Sequence, residues 1–434
     1  MDQNAKYRKR LNELIPGGAH TYSRGDDQYP ENAPALLVRG QGSHVWDADG
    51  NRFLDYGMAL RAVTAGYAHK GIADAAIREI RYGNNLTRAS LTELKAAETI
   101  VDLVPCAEMV KFAKNGSTVT TAAVKLARAY TGRKYVAFCA QHPFFSYDDW
   151  FIGATPIERG IPGEMHKLSV KFDYNDIASL EKLFSAHKGE IACVIMEPAT
   201  TEEPRDNFLQ KVQKLCNKNG AVFILDEMIT GFRWDLRGAQ HYYKVRPDLA
   251  TFGKGMANGF SVAALVGKKE IMNLGGILKE GSERVFLIST THGAEMCGLG
   301  AFTKTVEVYK KENVIPRMWS YGKKLIKGMN DAAAKCGVKD QFSAGGFPCS
   351  PFYVTKDLAG APSLALRTLF SQELIKHGVL MPWIALSSAH TEADLDVTLA
   401  AVEKALTVYA LALENGPGRY LKGKAIRPVF RKYN

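Results

Sequence analysis

Short, wholly apolar runs alternate with stretches of helical period through the middle of this 434-residue chain. MVKFAK (109–114), YVAFCA (135–140), IACVIM (191–196) and AVFILD (221–226) are too short for helices and rich in β-branched or aromatic residues, which predicts buried strands. Between the first two, STVTTAAVKLARAYTG places Val119, Ala122, Ala123, Leu126, Ala127 and Tyr130 on one helical face, with Gly132 as a stop. Residues 206–219 repeat that pattern before the last run. Continuous apolar strands separated by helices predict a parallel sheet covered on both faces. The ends of the chain read differently. HVWDADGNRFLDYG suggests two short strands around the turn DADG, AFTKTVEVYKKENV opens a long helical stretch, and a closing helix is predicted near 392–415. The length exceeds that of one core, and the simplest layout is a large α/β domain with a smaller unit built from both termini.

Composition narrows the classes without choosing among them. No apolar run reaches the roughly 18 residues of a membrane span, and the charged start MDQNAKYRKRLNELIPGG lacks the apolar stretch of a secretory signal. These features predict a cytoplasmic protein with no membrane partner. The seven cysteines are scattered, with no C-x-x-C pair and no cysteine/histidine cluster, so neither a metal nor a disulfide framework is indicated. The net charge of +11 is spread along the chain apart from RPVFRKYN at the end. A nucleic-acid binder concentrates its basic residues; a spread charge fits an enzyme that favours anionic ligands.

Open parallel sheets place ligands at the carboxyl ends of their strands, and four features fall at such ends. KNGSTVT (114–120) joins a strand to a helix, with Gly116 permitting close approach and Ser117 placed to cap the helix. Its amides and the helix dipole favour a phosphate, though the same residues also serve as an ordinary cap and turn. Asp226 closes the run AVFILD, where a carboxylate needs a cation or firm hydrogen bonds. His142 follows YVAFCA and could stack on a flat cofactor, act as a base, or be a plain loop residue. Lys254, in TFGKGMANGF, lies 28 residues beyond Asp226.

The glycines of that last stretch invite a dinucleotide reading, which fails on context. The fingerprint needs G-x-G-x-x-G leading into a helix, whereas the spacing here is G-x-G-x-x-x-G and the β-like run FSVAALVG follows. A lysine with a strand-end aspartate, a phosphate-cradling helix start and a stacking ring instead matches what pyridoxal phosphate requires: a Schiff-base lysine, an acid for the pyridinium nitrogen, and phosphate donors.

LDEMITGFRW followed by PDLATFGKGMANG resembles the signature of class III aminotransferases, which are fold-type-I pyridoxal-phosphate enzymes. LIPGGAHTYSRG, LARAYTGRK and SAHTEADLD are similar to the glutamate-1-semialdehyde aminomutase branch. The resemblance covers nearly the whole chain. It implies an α/β fold with a mostly parallel seven-stranded sheet flanked by helices in a large domain (61–310). A smaller α+β domain would come from residues 1–60 and 311–434. It further implies a homodimer with active sites at the subunit interface. Carried over by position, Lys254 forms the Schiff base and shuttles the proton, Asp226 holds the pyridine nitrogen, and Met228 packs behind the ring. Asn115, Gly116 and Ser117 take the phosphate, and Thr290 in STTHGAE reaches it from the neighbouring subunit. His142 falls where the family has a stacking ring, Glu197 ends a strand near the cofactor face, and Arg24 matches a substrate-carboxylate arginine.

The sequence departs from that branch at several places, and these argue against glutamate-1-semialdehyde as substrate. Pro382 stands where the aminomutase has an acid, a pocket tryptophan is replaced near Leu60 with Arg61 following, His142 stands for the tyrosine of the ring-stacking loop, Pro143 and Phe144 replace its HG pair, and GNP has become GAE at Glu295. The expectation is an aminotransferase working by a ping-pong Schiff-base mechanism. Its amino donor is glutamate, bound through Arg24 or Arg61, and its acceptor a polar or anionic carbonyl compound, such as a sugar-derived one. The runner-up is a glutamate-1-semialdehyde-type aminomutase. A non-catalytic nucleic-acid-binding or regulatory protein is the remote alternative, set against by the intact lysine and aspartate and the absence of an appended DNA-binding module.

Overall fold

The apolar runs become the strands they predict, in a computed structural model that describes residues 3–434. The chain divides into two units, Lys70–Ile315 with Lys432–Asn434, and the chain up to His69 with Pro316–Arg431. In the first, seven strands form one sheet: Met109–Ala113 (β1), Tyr135–Cys139 (β2), Ser169–Phe172 (β3), Ile191–Met196 (β4), Val222–Asp226 (β5), Leu249–Phe252 (β6) and Ala263–Gly267 (β7). Their spatial order is β1-β7-β6-β5-β4-β2-β3. Every residue of β4, β5, β6 and β7 is buried, which is why these strands carry no polar alternation.

Strands β2 to β6 pair in parallel, while β7 runs antiparallel to both β6 and β1. Two reversals leave β1 pointing the same way as β6. The residues that follow β1, β2, β4, β5 and β6 therefore emerge along one edge of the sheet. This direction rule, rather than any local signal, gathers the candidate residues.

The helix Gly116–Thr131 (α1) buries Val119, Ala122, Ala123, Leu126 and Ala127, and it ends at Gly132 in the left-handed conformation (φ 67°). Tyr130 departs from its expected place on that face. It is exposed in the last turn, where its hydroxyl reaches Glu270. Phe208–Asn219 (α2) packs Phe208, Leu209, Val212 and Cys216 against the interior of the same unit. Cys139 and Cys193 are fully buried thiols, and burial pushes both up to about 12. Among the described residues no helix is long and apolar enough to cross a membrane.

The second unit holds a four-stranded sheet of Leu37–Gln41, His44–Asp47, Arg52–Asp55 and Val379–Leu380. The chain leaving Arg52–Asp55 makes an unusual move: Met58, Ala59, Leu60 and Arg61 all have positive φ (39°, 48°, 61° and 68°). Four successive L-residues in this region form one left-handed turn, at a steric cost of about 1–2 kcal/mol each. Hydrogen bonds hold it. The Asp55 carboxylate accepts the N–H groups of Gly57 (2.7 Å) and Met58 (3.0 Å) and the Tyr67 hydroxyl (2.6 Å). Tyr67 in turn accepts the Ala59 N–H at 2.9 Å, and the Trp383 indole donates to Gly57 O at 3.1 Å. Met58 is buried against Val63 and Ala385. Ala59→Gly relieves the steric penalty at one position and loses backbone entropy, so a net gain of about 0.5–1 kcal/mol is expected. Thermal unfolding checks this; an unchanged or lower midpoint would show that the turn stores no strain.

Candidate active site

Asp226 is the last residue of β5, in register with Thr251 on the neighbouring β6. Its Oδ1 accepts the Met228 N–H at 3.0 Å and the Thr251 hydroxyl at 3.1 Å. The side chain is 2% exposed. Burial pushes its carboxyl up to about 6, while the Lys254 charge and the two hydrogen bonds pull the other way. Thr251 is visible in the sequence as the polar residue in the otherwise apolar strand LATF.

Two residues after β6, Lys254 opens a 3₁₀ turn, Lys254–Ala257, with φ 45°. The register of β5 and β6 makes neighbours of two residues 28 apart in sequence, so the lysine charge acts on the aspartate directly. A lysine in the left-handed region is strained. Met228 joins this pair to the start of α1. A Cβ at Gly116 would come within 3.0 Å of the Met228 Sδ, and one at Gly253 within 2.7 Å. Only glycine at both points lets the helix start, the lysine turn and Met228 approach so closely.

At that helix start the cap is Asn115. Its Oδ1 accepts the Thr118 N–H at 2.9 Å and the Thr118 hydroxyl at 3.0 Å. The expectation that Ser117 caps the helix is corrected, because Ser117 lies inside the first turn. Its buried hydroxyl accepts the Tyr147 N–H at 3.1 Å instead. Thr120 donates to Phe145 O at 2.7 Å, and Thr121 to the Asp148 carboxylate at 2.5 Å. The loop following β2 is thereby fastened to the first turns of α1.

That loop carries His142, which is 2% exposed. Its Nδ1 accepts the Glu197 N–H at 2.9 Å, so the neutral ring keeps its proton on Nε2. Nε2 is buried and meets no hydrogen-bond partner among the described residues. Burial drops the ring to about 3, and it stays neutral at any physiological pH. Tyr174 and Phe145 flank it, with ring centroids 5.3 and 6.0 Å away. Glu197 directly follows β4 and is itself buried.

Asn115, Gly116, Ser117, His142, Glu197, Asp226, Met228 and Lys254 thus follow the ends of five strands that share one direction. Thr290 lies on an exposed loop of the same unit, in a turn closed by Gly293 N–H to Thr290 O at 3.2 Å. Arg24 and Arg61 belong to the other unit: Arg24 is exposed at the end of a 3₁₀ turn, and Arg61 ends the left-handed turn.

The donor set fits a flat, anionic, aldehyde-bearing ring. It offers an amine, a buried carboxylate for a cationic ring nitrogen, and a helix start with amides free of intrahelical partners. It also offers a neutral imidazole whose buried N–H is left without a partner.

Comparison with known proteins points the same way. Residues 26–350 match the family described as Aminotransferase class-III. The 3-aminobutyryl-CoA aminotransferase of Cloacimonas acidaminovorans is 34% identical over 409 residues, covering 91% of this chain and 94% of that protein. A glutamate-1-semialdehyde 2,1-aminomutase from Persephonella marina is 31% identical, over 85% of this chain and 90% of that protein. Among solved structures, the PLP internal aldimine form of the Sphingopyxis sp. MTA144 FumI protein aligns with a TM-score of 0.86 and 26% identity, covering 97% of this chain and 98% of that one.

Proposed function

Given that the chain belongs to the class III aminotransferases, whose cofactor is pyridoxal phosphate, we propose that it moves an amino group from glutamate to an anionic or polar carbonyl acceptor. The observation that carries this reading is the Asp226–Lys254 pair, set side by side by the β5–β6 register at the carboxyl edge of the sheet.

Pyridoxal phosphate, when bound, supplies an aldehyde that exchanges amines and a protonated ring that takes up electrons from a carbanion. Lys254 Nζ would hold the aldehyde end of the bound cofactor. The same Nζ, when free, would accept the proton from the donor carbon and pass it on from the same face. Asp226 keeps a negative charge for the ring nitrogen, and Thr251 and the Met228 N–H orient its carboxylate. The amides of α1 with Asn115, Gly116 and Ser117 hold the phosphate. His142 and Met228 are the side chains assigned to the ring faces, and Glu197 fixes His142 through its backbone N–H.

Arg24 and Arg61 are the cations assigned to the substrate carboxylate and to the acceptor's anionic group. A net charge of +11 supports an anionic partner, and sugar-derived carbonyls are included in that class. The working unit is a homodimer in which Thr290 serves the phosphate of the partner. In support, the loop before Thr290 exposes Ile277, Leu278 and Phe286 (76%, 93% and 68% exposed), an apolar surface that a second copy would cover.

Half-reaction spectroscopy tests the reading. Glutamate is expected to bleach the near-visible band of the cofactor-loaded protein within the mixing experiment, and a suitable keto or aldehyde acceptor to restore it. No bleaching by any amino donor would sink the aminotransferase reading. The aminomutase relatives favour a second reading, in which a semialdehyde is converted with no donor added. Dependence of product formation on glutamate separates the two.

A further inference from the structure

The residue before the Asn115 cap, Lys114, takes no part in the chemistry above, nor does Glu295, which stands where the resembling sequences have proline. The two meet in the structure. Lys114 Nζ lies 2.5 Å from Glu295 Oε2, with both side chains about three-quarters buried (23% and 27% exposed). Lys114 also donates to Ser261 O at 3.2 Å, and the Ser261 hydroxyl returns a bond to Lys114 O at 2.6 Å. The second Glu295 oxygen accepts the Asn84 side-chain N–H at 2.7 Å.

Glu295 immediately precedes the helix Met296–Glu312 (α3), but its side chain does not cap it. Asn84 does that instead, accepting the Met296 N–H on its backbone oxygen (2.7 Å) and the Cys297 N–H on Oδ1 (3.0 Å). The glutamate is thereby left to reach across to Lys114. The ammonium holds the Glu295 carboxyl below the usual carboxylate range.

Two residues upstream, Gly293 closes the turn that carries Thr290. A Cβ on Gly293 would lie 2.8 Å from the Thr290 hydroxyl and 3.5 Å from Phe112 O, so this turn rests against the end of β1. One ion pair therefore spans two anion-directed segments, Asn115–Ser117 on one side and Thr290–Gly293 on the other.

We propose that Lys114 and Glu295 are a positioning pair for the cofactor phosphates of the dimer, bracing against each other the Asn115–Ser117 turn, which serves this chain's own phosphate, and the Thr290 turn, which serves the partner's. This rests on the functional reading above. The phosphate does not need to touch either residue. An exposed ion pair contributes little, but this one is mostly buried and its side chains make two further hydrogen bonds, so its loss shifts two turns at once. Simple electrostatics predicts the opposite sign: removing Glu295 would free a cation beside the phosphate and tighten binding.

Titration of the full-length apoprotein with pyridoxal phosphate and with pyridoxal, followed by the near-visible band, separates these ideas. Glu295→Gln is expected to raise the Kd for pyridoxal phosphate about 10-fold, as for a lost charge-assisted bond, and to leave pyridoxal binding within about 2-fold. The exchange Lys114→Glu with Glu295→Lys should recover most of the loss. Equal weakening of both ligands, no recovery by the exchange, or unchanged or tighter phosphate binding would overturn the proposal and leave the enzymatic assignment standing. A wild-type protein that binds neither ligand would overturn the enzymatic assignment itself.

Discussion

Lys254→Ala is expected to lower turnover by on the order of 10⁴-fold and to abolish the near-visible band formed with the cofactor. The argument rests on position. The lysine follows the end of β6, its turn is fixed between Gly253 and the buried residues Gly255–Ala257, and its charge acts on Asp226. Alanine keeps a Cβ at φ 45°, so the backbone strain stays and only the amine is lost. Removing the cation also removes the pull that lowers the Asp226 carboxyl, which should rise further above about 6. The variant should therefore still fold and bind the cofactor weakly through its phosphate, without the band. Stopped-flow mixing with glutamate measures the effect. A variant that keeps the band or turns over near the wild-type rate contradicts the assignment of Lys254.

Asp226→Asn is expected to separate stability from function. In the apoprotein the folded carboxyl stands at about 6, above its ordinary 3.8. Between those values the folded protein binds more proton than the unfolded chain, so stability is greatest below 3.8 and is lost as pH rises through about 6. Asparagine cannot ionise, and at pH 7–8 the variant should be more stable by on the order of 1–3 kcal/mol. Its catalysis should fall by on the order of 10³-fold, because nothing then holds the ring nitrogen in its cationic form. For the wild type, cofactor affinity should rise as pH climbs through about 6 and the carboxylate forms, and the asparagine variant should show a flat, weak profile. Chemical denaturation of the apoprotein and cofactor titration across pH 5–8 measure both halves. A destabilised variant, or an unchanged pH profile, would speak against a desolvated carboxylate at this position.

Much of this site was legible in the sequence because it is written in short local runs. VFILD ends in its acid, LATF precedes its lysine, and both strands lie where their apolar content requires. The class of fold followed from the same runs, and the matched family bears it out. What escaped depends on contacts between distant segments. Ser117 has the composition of a cap, but Asn115 caps α1, and the serine hydroxyl goes to Tyr147, thirty residues on. Tyr130 has the right period for the buried face but sits in the last turn, where its ring is exposed. No propensity predicts a left-handed turn from Met58-Ala59-Leu60-Arg61. It exists because Asp55 and Tyr67 satisfy its amides and Trp383, over 300 residues away, takes its first carbonyl.

The antiparallel return of β7 has a consequence for the order of assembly. Phe252 faces Ala264 and Leu249 faces Gly267, so Lys254 sits in the connection of a local hairpin. Such hairpins close in about 1–10 μs, whereas parallel neighbours such as β5 and β6 wait on crossover connections and their loop entropy. The lysine's turn is thus a product of early, local folding, and Asp226 joins it only when the parallel strands register. Competence to bind the cofactor would then be acquired after the hairpin, which makes the appearance of the near-visible band during refolding a clock for the parallel pairing of β5 with β6.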